Sequence, residues 1–220
     1  MPELWLLDND LILKTCCFQI HGEAIAIFSR EGRQLGVLGA ARFVLAKRLQ
    51  KLSAPQPAKD AASSALTIVW GATVPIEPTD DEVQLAASFE TTAQELGASL
   101  DSGESLLLAI LIKRPAELLL TGDKRAIAAI EGISARLALA AQTSGRVACF
   151  EQLLIAVATR HGHQLLRGRV CAMAAADRTA SICCACSSAA VDDKSIEEGL
   201  ASYAGSVRAS APTVLMTAAL

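Results

Sequence analysis

Leu100-Asp-Ser-Gly-Glu104, the apolar run Ser105–Ile112 and then Glu117-Leu-Leu-Leu-Thr-Gly-Asp123 read as a turn, a buried helix and a buried strand. The helix opens on a carboxylate pair, Asp101 and Glu104, and the strand closes on one carboxylate, Asp123. A second strand-like run, Leu4-Trp-Leu-Leu-Asp8-Asn-Asp10, also ends in acids. Continuous apolar runs of this length suit parallel strands buried on both faces. Open parallel sheets bind ligands in the crevice beyond the strands' carboxyl ends. The sequence therefore predicts that Asp8, Asp101, Glu104 and Asp123 converge there and hold a divalent cation, with Asp10 peripheral.

Working outward, short apolar strands alternate with helical patterns, which predicts an α/β fold: a three-layer α/β/α sandwich around a central parallel sheet. Leu35–Gly39 reads as a strand, and Ala40–Leu52 as a helix with Phe43, Val44 and Leu45 on its apolar side. Leu11–Ile20 is mixed and broken by His21-Gly22, with helical character over Glu23–Ser29. Ser53–Lys59 holds two prolines and reads as a loop or linker; Leu66-Thr-Ile-Val-Trp70 has strand-forming residues; Pro75–Pro78 is a break. Thr79-Asp-Asp-Glu82 matches a capping box opening a helix to about Leu96. Lys124–Ala141 reads as an Ala-rich helix interrupted at Gly132, Arg146–Phe150 as the last strand, and Glu151 to about Arg160 as an amphipathic helix. Residues 1–160 thus form one domain. Residues 161–220 form a helical extension, with a helix over Ile196–Ala209, packed on that domain or on a second subunit.

Composition narrows the function. Of 220 residues 52% are hydrophobic, so a large core is available, while only 4% are aromatic, which leaves little for base-stacking platforms. The net charge of −3 gives no global attraction for nucleic acid, but it is unevenly placed. Arg30, Arg33, Arg42, Lys47, Arg48 and Lys51 stand against Glu31 alone, whereas Glu77–Glu104 holds eight acids and no Lys or Arg. Seven cysteines, an odd number without a leader pattern, predict free buried thiols in a reducing cytoplasm. No apolar run is long enough to span a bilayer.

Each acid also has a purely local reading. Asp-x-x-Glu before an apolar run is a capping box, Asp123 is an N-cap, and Asp8-Asn-Asp10 is an Asx turn. A shared metal site differs from separate caps in requiring all four at one sheet edge. Several carboxylates at one point suit Mg²⁺ or Mn²⁺, hard cations that prefer oxygen, and the chemistry such a site supports is phosphodiester hydrolysis.

Asp8 after an apolar strand, Leu100-Asp-Ser-Gly-Glu104 opening a helix and Leu118-Leu-Leu-Thr-Gly-Asp123 closing a strand resemble the PIN-domain nucleases. Arg146–Gly162, strand then helix, is similar to that domain's closing unit. The resemblance covers about residues 1–160. It implies Mg²⁺ or Mn²⁺ on Asp8, Asp101, Glu104 and Asp123, cleavage of single-stranded or structured RNA, and an antitoxin-like protein or a second copy of the chain as partner. Lys124 and Arg125 lie where they would meet phosphate. Two departures stand out. Many members carry a Glu in the helix after the second strand, where Gly39-Ala-Ala-Arg-Phe43 offers Arg42; Glu104 takes its place, as in members with an Asp-x-Gly-Glu motif. The acid usual after the third Asp is replaced by Lys124-Arg125. A binding module of weakened activity is therefore one alternative. A phosphotransfer fold using Asp8 as nucleophile and Asp10 as acid is another.

Overall fold

Five parallel strands form one sheet in the order β3-β2-β1-β4-β5: β1 (Glu3–Leu7), β2 (Arg33–Leu38), β3 (Val74–Ile76), β4 (Ala116–Thr121) and β5 (Val147–Cys149). The computed structural model describes residues 3–29, 32–218 and 220, so Arg30 and Glu31 of the basic stretch lie outside the described residues. The order runs one way from β1 to β3 and the other way from β1 to β5. The switch point therefore lies between β1 and β4.

Side-chain alternation builds a core on each face. Trp5, Leu7, Leu35, Val37, Leu118 and Leu120 face one core; Leu6, Leu38, Ile76 and Leu119 face the other. The first core is covered by α1 (Asn9–Cys17), α2 (His21–Phe28), α3 (Ala41–Lys51), α4 (Gln56–Ala72) and α9 (Phe150–His161). The second is covered by α5 (Asp80–Glu95), α6 (Ser102–Lys113) and α7 (Lys124–Arg136), with the four-residue α8 (Ala140–Thr143) beside it. The result is the expected three-layer α/β/α sandwich.

The C-terminal segment is helical, with α10 (His163–Ala172), a 3₁₀ turn (Ala174–Ala176), α11 (Arg178–Cys183) and α12 (Asp193–Ser210). It packs on the domain itself. Leu166, Val170, Ile196 and Leu200 enter the first core, and Val207, Val214 and Leu215 the second. After α12 the tail runs beside β5, pairing Val147 with Leu215 in parallel, so the outer edge of β5 is covered. Among the described residues no helix is long and apolar enough to cross a membrane.

Several expectations are corrected. Leu66–Trp70 is helix: Ala62, Ala65, Leu66 and Val69 make a buried stripe at helical spacing, while β-branched Thr67 and Ile68 face outward. Periodicity outweighs strand propensity there. Pro55 and Pro57 sit at the start of that helix, where no amide partner is lost, so Ser53–Lys59 is only in part a loop. The third strand is Val74–Ile76, inside the presumed break, because an edge strand tolerates Pro75. The break after α1 falls at Gln19, with φ 54°, and His21-Gly22 begin a helix. Helix α7 runs through Gly132 and stops at Leu137-Ala138, where Ala138 has φ 56°. On α3 the buried stripe is Ala41, Leu45 and Leu49; Phe43 is 82% exposed. Finally, Cys171 and Cys186 form a disulfide, while Cys16, Cys17, Cys149, Cys183 and Cys184 are free and buried.

Candidate functional site

Asp8 follows β1 in extended conformation, so the alternation that turns Leu6 toward α6 turns Asp8 the same way. It is pinned at the switch point. Its amide donates to the Leu120 carbonyl (2.9 Å), and its Oδ2 accepts from the Thr121 hydroxyl (3.0 Å) and the Asp10 amide (3.2 Å). Asp8 is therefore both the N-cap of α1 and a buried carboxyl at 5% exposure.

Helix α6 leads into β4 and runs antiparallel to it, which brings its N-terminus to the sheet's carboxyl edge. There Asp101 and Glu104 form a complete capping box: Asp101 Oδ1 accepts from the Glu104 amide and Glu104 Oε2 from the Asp101 amide, both at 2.9 Å. The other oxygens, Asp101 Oδ2 and Glu104 Oε1, take no hydrogen bond from the described residues, nor does Asp8 Oδ1. Glu104 is buried and its carboxyl is pushed up to about 8, first by that burial and then by the negative charges of Asp101, Asp8 and Asp123, against the Asp101 amide. Burial and Asp10 likewise push Asp8 up to about 6.

Asp123, the N-cap of α7, is differently balanced. Burial raises it, but the Arg125 amide (2.8 Å) and guanidinium (2.9 Å) overcome this and hold it below the ordinary carboxylate range. Arg125 thus covers Asp123. Lys124 turns away to Glu151 Oε1 (2.7 Å) and the Thr179 hydroxyl (3.0 Å), with its ammonium over the Tyr203 ring. Asp10 is held by Lys14 (2.6 Å) and Arg48 (3.2 Å), and Lys14 also pairs with Asp177 (2.7 Å). A phosphotransfer reading would need Asp10 as a free acid, which these two cations do not leave it.

A cleft of about 630 Å³ opens here, lined by Asn9, Asp101, Ser102, Gly103, Asp123 and Arg125 among others. All four predicted acids gather at this edge: Asp101 and Asp123 line the cleft, and Asp8 and Glu104 lie buried behind it. As the side chains stand, no three His, Cys, Asp or Glu among the described residues form a ready ligand set. Asp123 is turned onto Arg125, and the capping box holds one oxygen of Asp101 and one of Glu104. The donor chemistry still fits a hard dication, since the donors are carboxylate oxygens and two of the four carboxyls are buried against like charge.

No protein-family model matches the chain, and neither a curated protein nor a solved structure does.

Sequence reasoning missed several residues of this edge. Lys14 stands four residues after Asp10 on one helix face, a spacing that pairs charges and was available as a signal. Glu151, buried two residues after β5, obeys the same strand-end rule as Asp8 and Asp123. Asp177 comes from a segment with no pattern tying it to the sheet.

Proposed function

We propose that the chain is a divalent-metal-dependent endonuclease acting on RNA, a PIN-like enzyme with its centre at the switch point of the sheet. The observation that carries this reading is Glu104: a buried carboxyl that feels Asp8, Asp101 and Asp123 together. Like charge gathered in a buried place is costly unless a proton or a cation offsets it. Asp8, Asp101, Glu104 and Asp123 would hold Mg²⁺ or Mn²⁺, which when bound supplies a water of lowered pKa and neutralises charge on the leaving oxygen. The chain's own part is positional. Thr121 and the two capping amides fix one oxygen each of Asp8, Asp101 and Glu104 and leave the other for the ion, whereas Asp123 would first have to leave Arg125. Arg125, once displaced from Asp123, would meet a phosphate oxygen, while Lys124 is held by Glu151 and Thr179.

The test is cleavage of a labelled RNA in Mn²⁺. Asp101→Asn keeps the cap acceptor but removes charge, and should lower cleavage about a hundredfold or more, within the range a metal ligand controls. Cleavage that survives chelation counts against the reading.

A second reading, a PIN-like binding module in an RNA-processing or toxin–antitoxin assembly, is favoured by the guanidinium covering Asp123 and by Arg42 where an acid is expected. It predicts RNA retained but uncut in the same assay. The nuclease reading goes with a cytoplasmic location and with an antitoxin-like protein or a second copy as partner. The Cys171–Cys186 disulfide is at odds with a reducing compartment. Alkylation of the chain in cell extract, followed by mass measurement, would show which state it keeps.

A further inference from the structure

A second cleft, of about 450 Å³, lies on the other side of Asp123. Its walls come from four places: Lys14 on α1, Arg48 on α3, Lys124 and Arg125 at the start of α7, and Arg178 with Thr179 on α11 of the C-terminal segment. Asp10, Asp123 and Asp177 face these cations. Most of the charge is matched. Lys14 lies between Asp10 and Asp177, Arg48 reaches Asp10, Arg125 covers Asp123, and Lys124 is answered by the buried Glu151. Arg178 is the remainder. It is exposed and has no salt-bridge partner among the described residues. The thirteen-residue helix α7 adds its N-terminal dipole to the same wall.

A surplus of one cation, carried by a guanidinium, suits one monoanion with two oxygens to share. The carboxylates in the wall disfavour a dianion. The two clefts have Arg48, Asp123 and Arg125 in common, so their occupants are neighbours. We infer that this second cleft is a subsite for an internal phosphodiester of single-stranded RNA, next to the one that is cut, and that Arg178 clamps it. The substrate class rests on the nuclease reading. The subsite gives the C-terminal segment, which the PIN-like resemblance leaves unexplained, a part in binding.

The experiment reads binding without metal. A short fluorescein-labelled single-stranded RNA is titrated with the full chain in EDTA, and anisotropy is followed over a salt series. Arg178→Ala should weaken binding about three- to tenfold and reduce the slope of log K against log salt by about 0.7, the share of one phosphate contact; Arg178→Glu should cost about tenfold or more. Arg178 is exposed, so both variants should keep the melting temperature of the parent chain. Affinity for Arg178→Glu within about twofold of the parent would overturn the subsite, as would a parent chain that binds no RNA, or a 5′-phosphorylated RNA binding several-fold tighter than its unphosphorylated form. The two readings fail separately. Binding through Arg178 with no Mn²⁺-dependent cleavage removes the nuclease and leaves the subsite. Cleavage by Arg178→Glu at unchanged KM does the reverse.

Discussion

A carboxyl that is buried and faces three others can be stabilised by a proton or by a cation, and Glu104 is in that position. Its pKa in the folded chain, about 8, is raised from 4.5, and that of Asp8, about 6, from 3.8. A raised carboxyl binds more protons in the native state than in the unfolded one. The stability it contributes is complete below the unfolded value and lost as pH rises through the folded value. Metal-free protein should therefore weaken between about pH 4 and pH 8, by a few kcal/mol, since each tenfold change in proton affinity is worth ~1.4 kcal/mol. Asp123 and Glu82, held below the ordinary range, have the opposite sign and lose their contribution only as pH falls below it. Urea unfolding in EDTA across that range measures the slope. Glu104→Gln keeps the capping acceptor, should flatten the slope above about pH 5, and should remove any melting-temperature rise on adding Mn²⁺ that the metal reading predicts for the parent chain. Arg125 acts in the other direction. Its guanidinium competes for Asp123, so Arg125→Gln should tighten Mn²⁺ binding by on the order of a few-fold in calorimetry, as expected for an exposed pair. Unchanged or weaker binding would mean that Asp123 is no ligand.

At the scale of elements, what could be read from the sequence was whatever local chemistry decides. Thr79–Glu82 and Asp101–Glu104 are capping boxes in both the sequence and the structure, because the motif is its own contact. β1, β2, β4 and β5 were legible as apolar runs ending at turns. Helix α4 was not, because its Ala-rich stripe of Ala62, Ala65, Leu66 and Val69 is quieter than the β-branched residues beside it. The gathering of acids at one edge could be inferred from strand ends, but Arg125 turning back onto Asp123 could not, since it depends on a rotamer rather than on a pattern. The disulfide was hidden too: seven cysteines allow many pairings, and only the fold brings Cys171 to Cys186. That bond closes a loop around Ala174–Cys183, which includes the cleft wall at Asp177–Thr179. A loop of 15 residues corresponds to about 3 kcal/mol in the chain-entropy account. Reduction, or Cys171→Ser, should lower stability by up to that amount in urea unfolding. It should also raise amide exchange first at Asp177–Thr179. Exchange that rises evenly over the whole chain would argue against a local role.

At the scale of the molecule, the last sixty residues pack on the sheet domain itself, one of the two places the sequence left open for them. Leu166, Val170, Ile196, Leu200, Val207, Val214 and Leu215 come from beyond residue 160, and none is more than 3% exposed. They belong to both cores, so each face of the sheet depends on the last sixty residues. The tail also occupies the outer side of β5: the Val147 amide donates to the Val214 carbonyl (3.0 Å), and the Met216 amide donates to the Val147 carbonyl (2.7 Å). Without the segment, α9 would lose the α10 and α12 helices packed on it, and β5 would become a bare edge. Burying a Leu, Ile or Val side chain is worth about 1.5–3 kcal/mol, and whole-domain stability is about 5–15 kcal/mol, so losing seven such contacts is a loss of the same order as the stability of the whole fold. A chain ending at residue 160 should aggregate, or bind a hydrophobic dye and melt without a cooperative transition, whereas the full chain should unfold in one step. A soluble truncated form with a sharp melt would make residues 161–220 an appendage after all, and would separate the cleft built by Arg178 from the fold that presents Asp8 and Glu104.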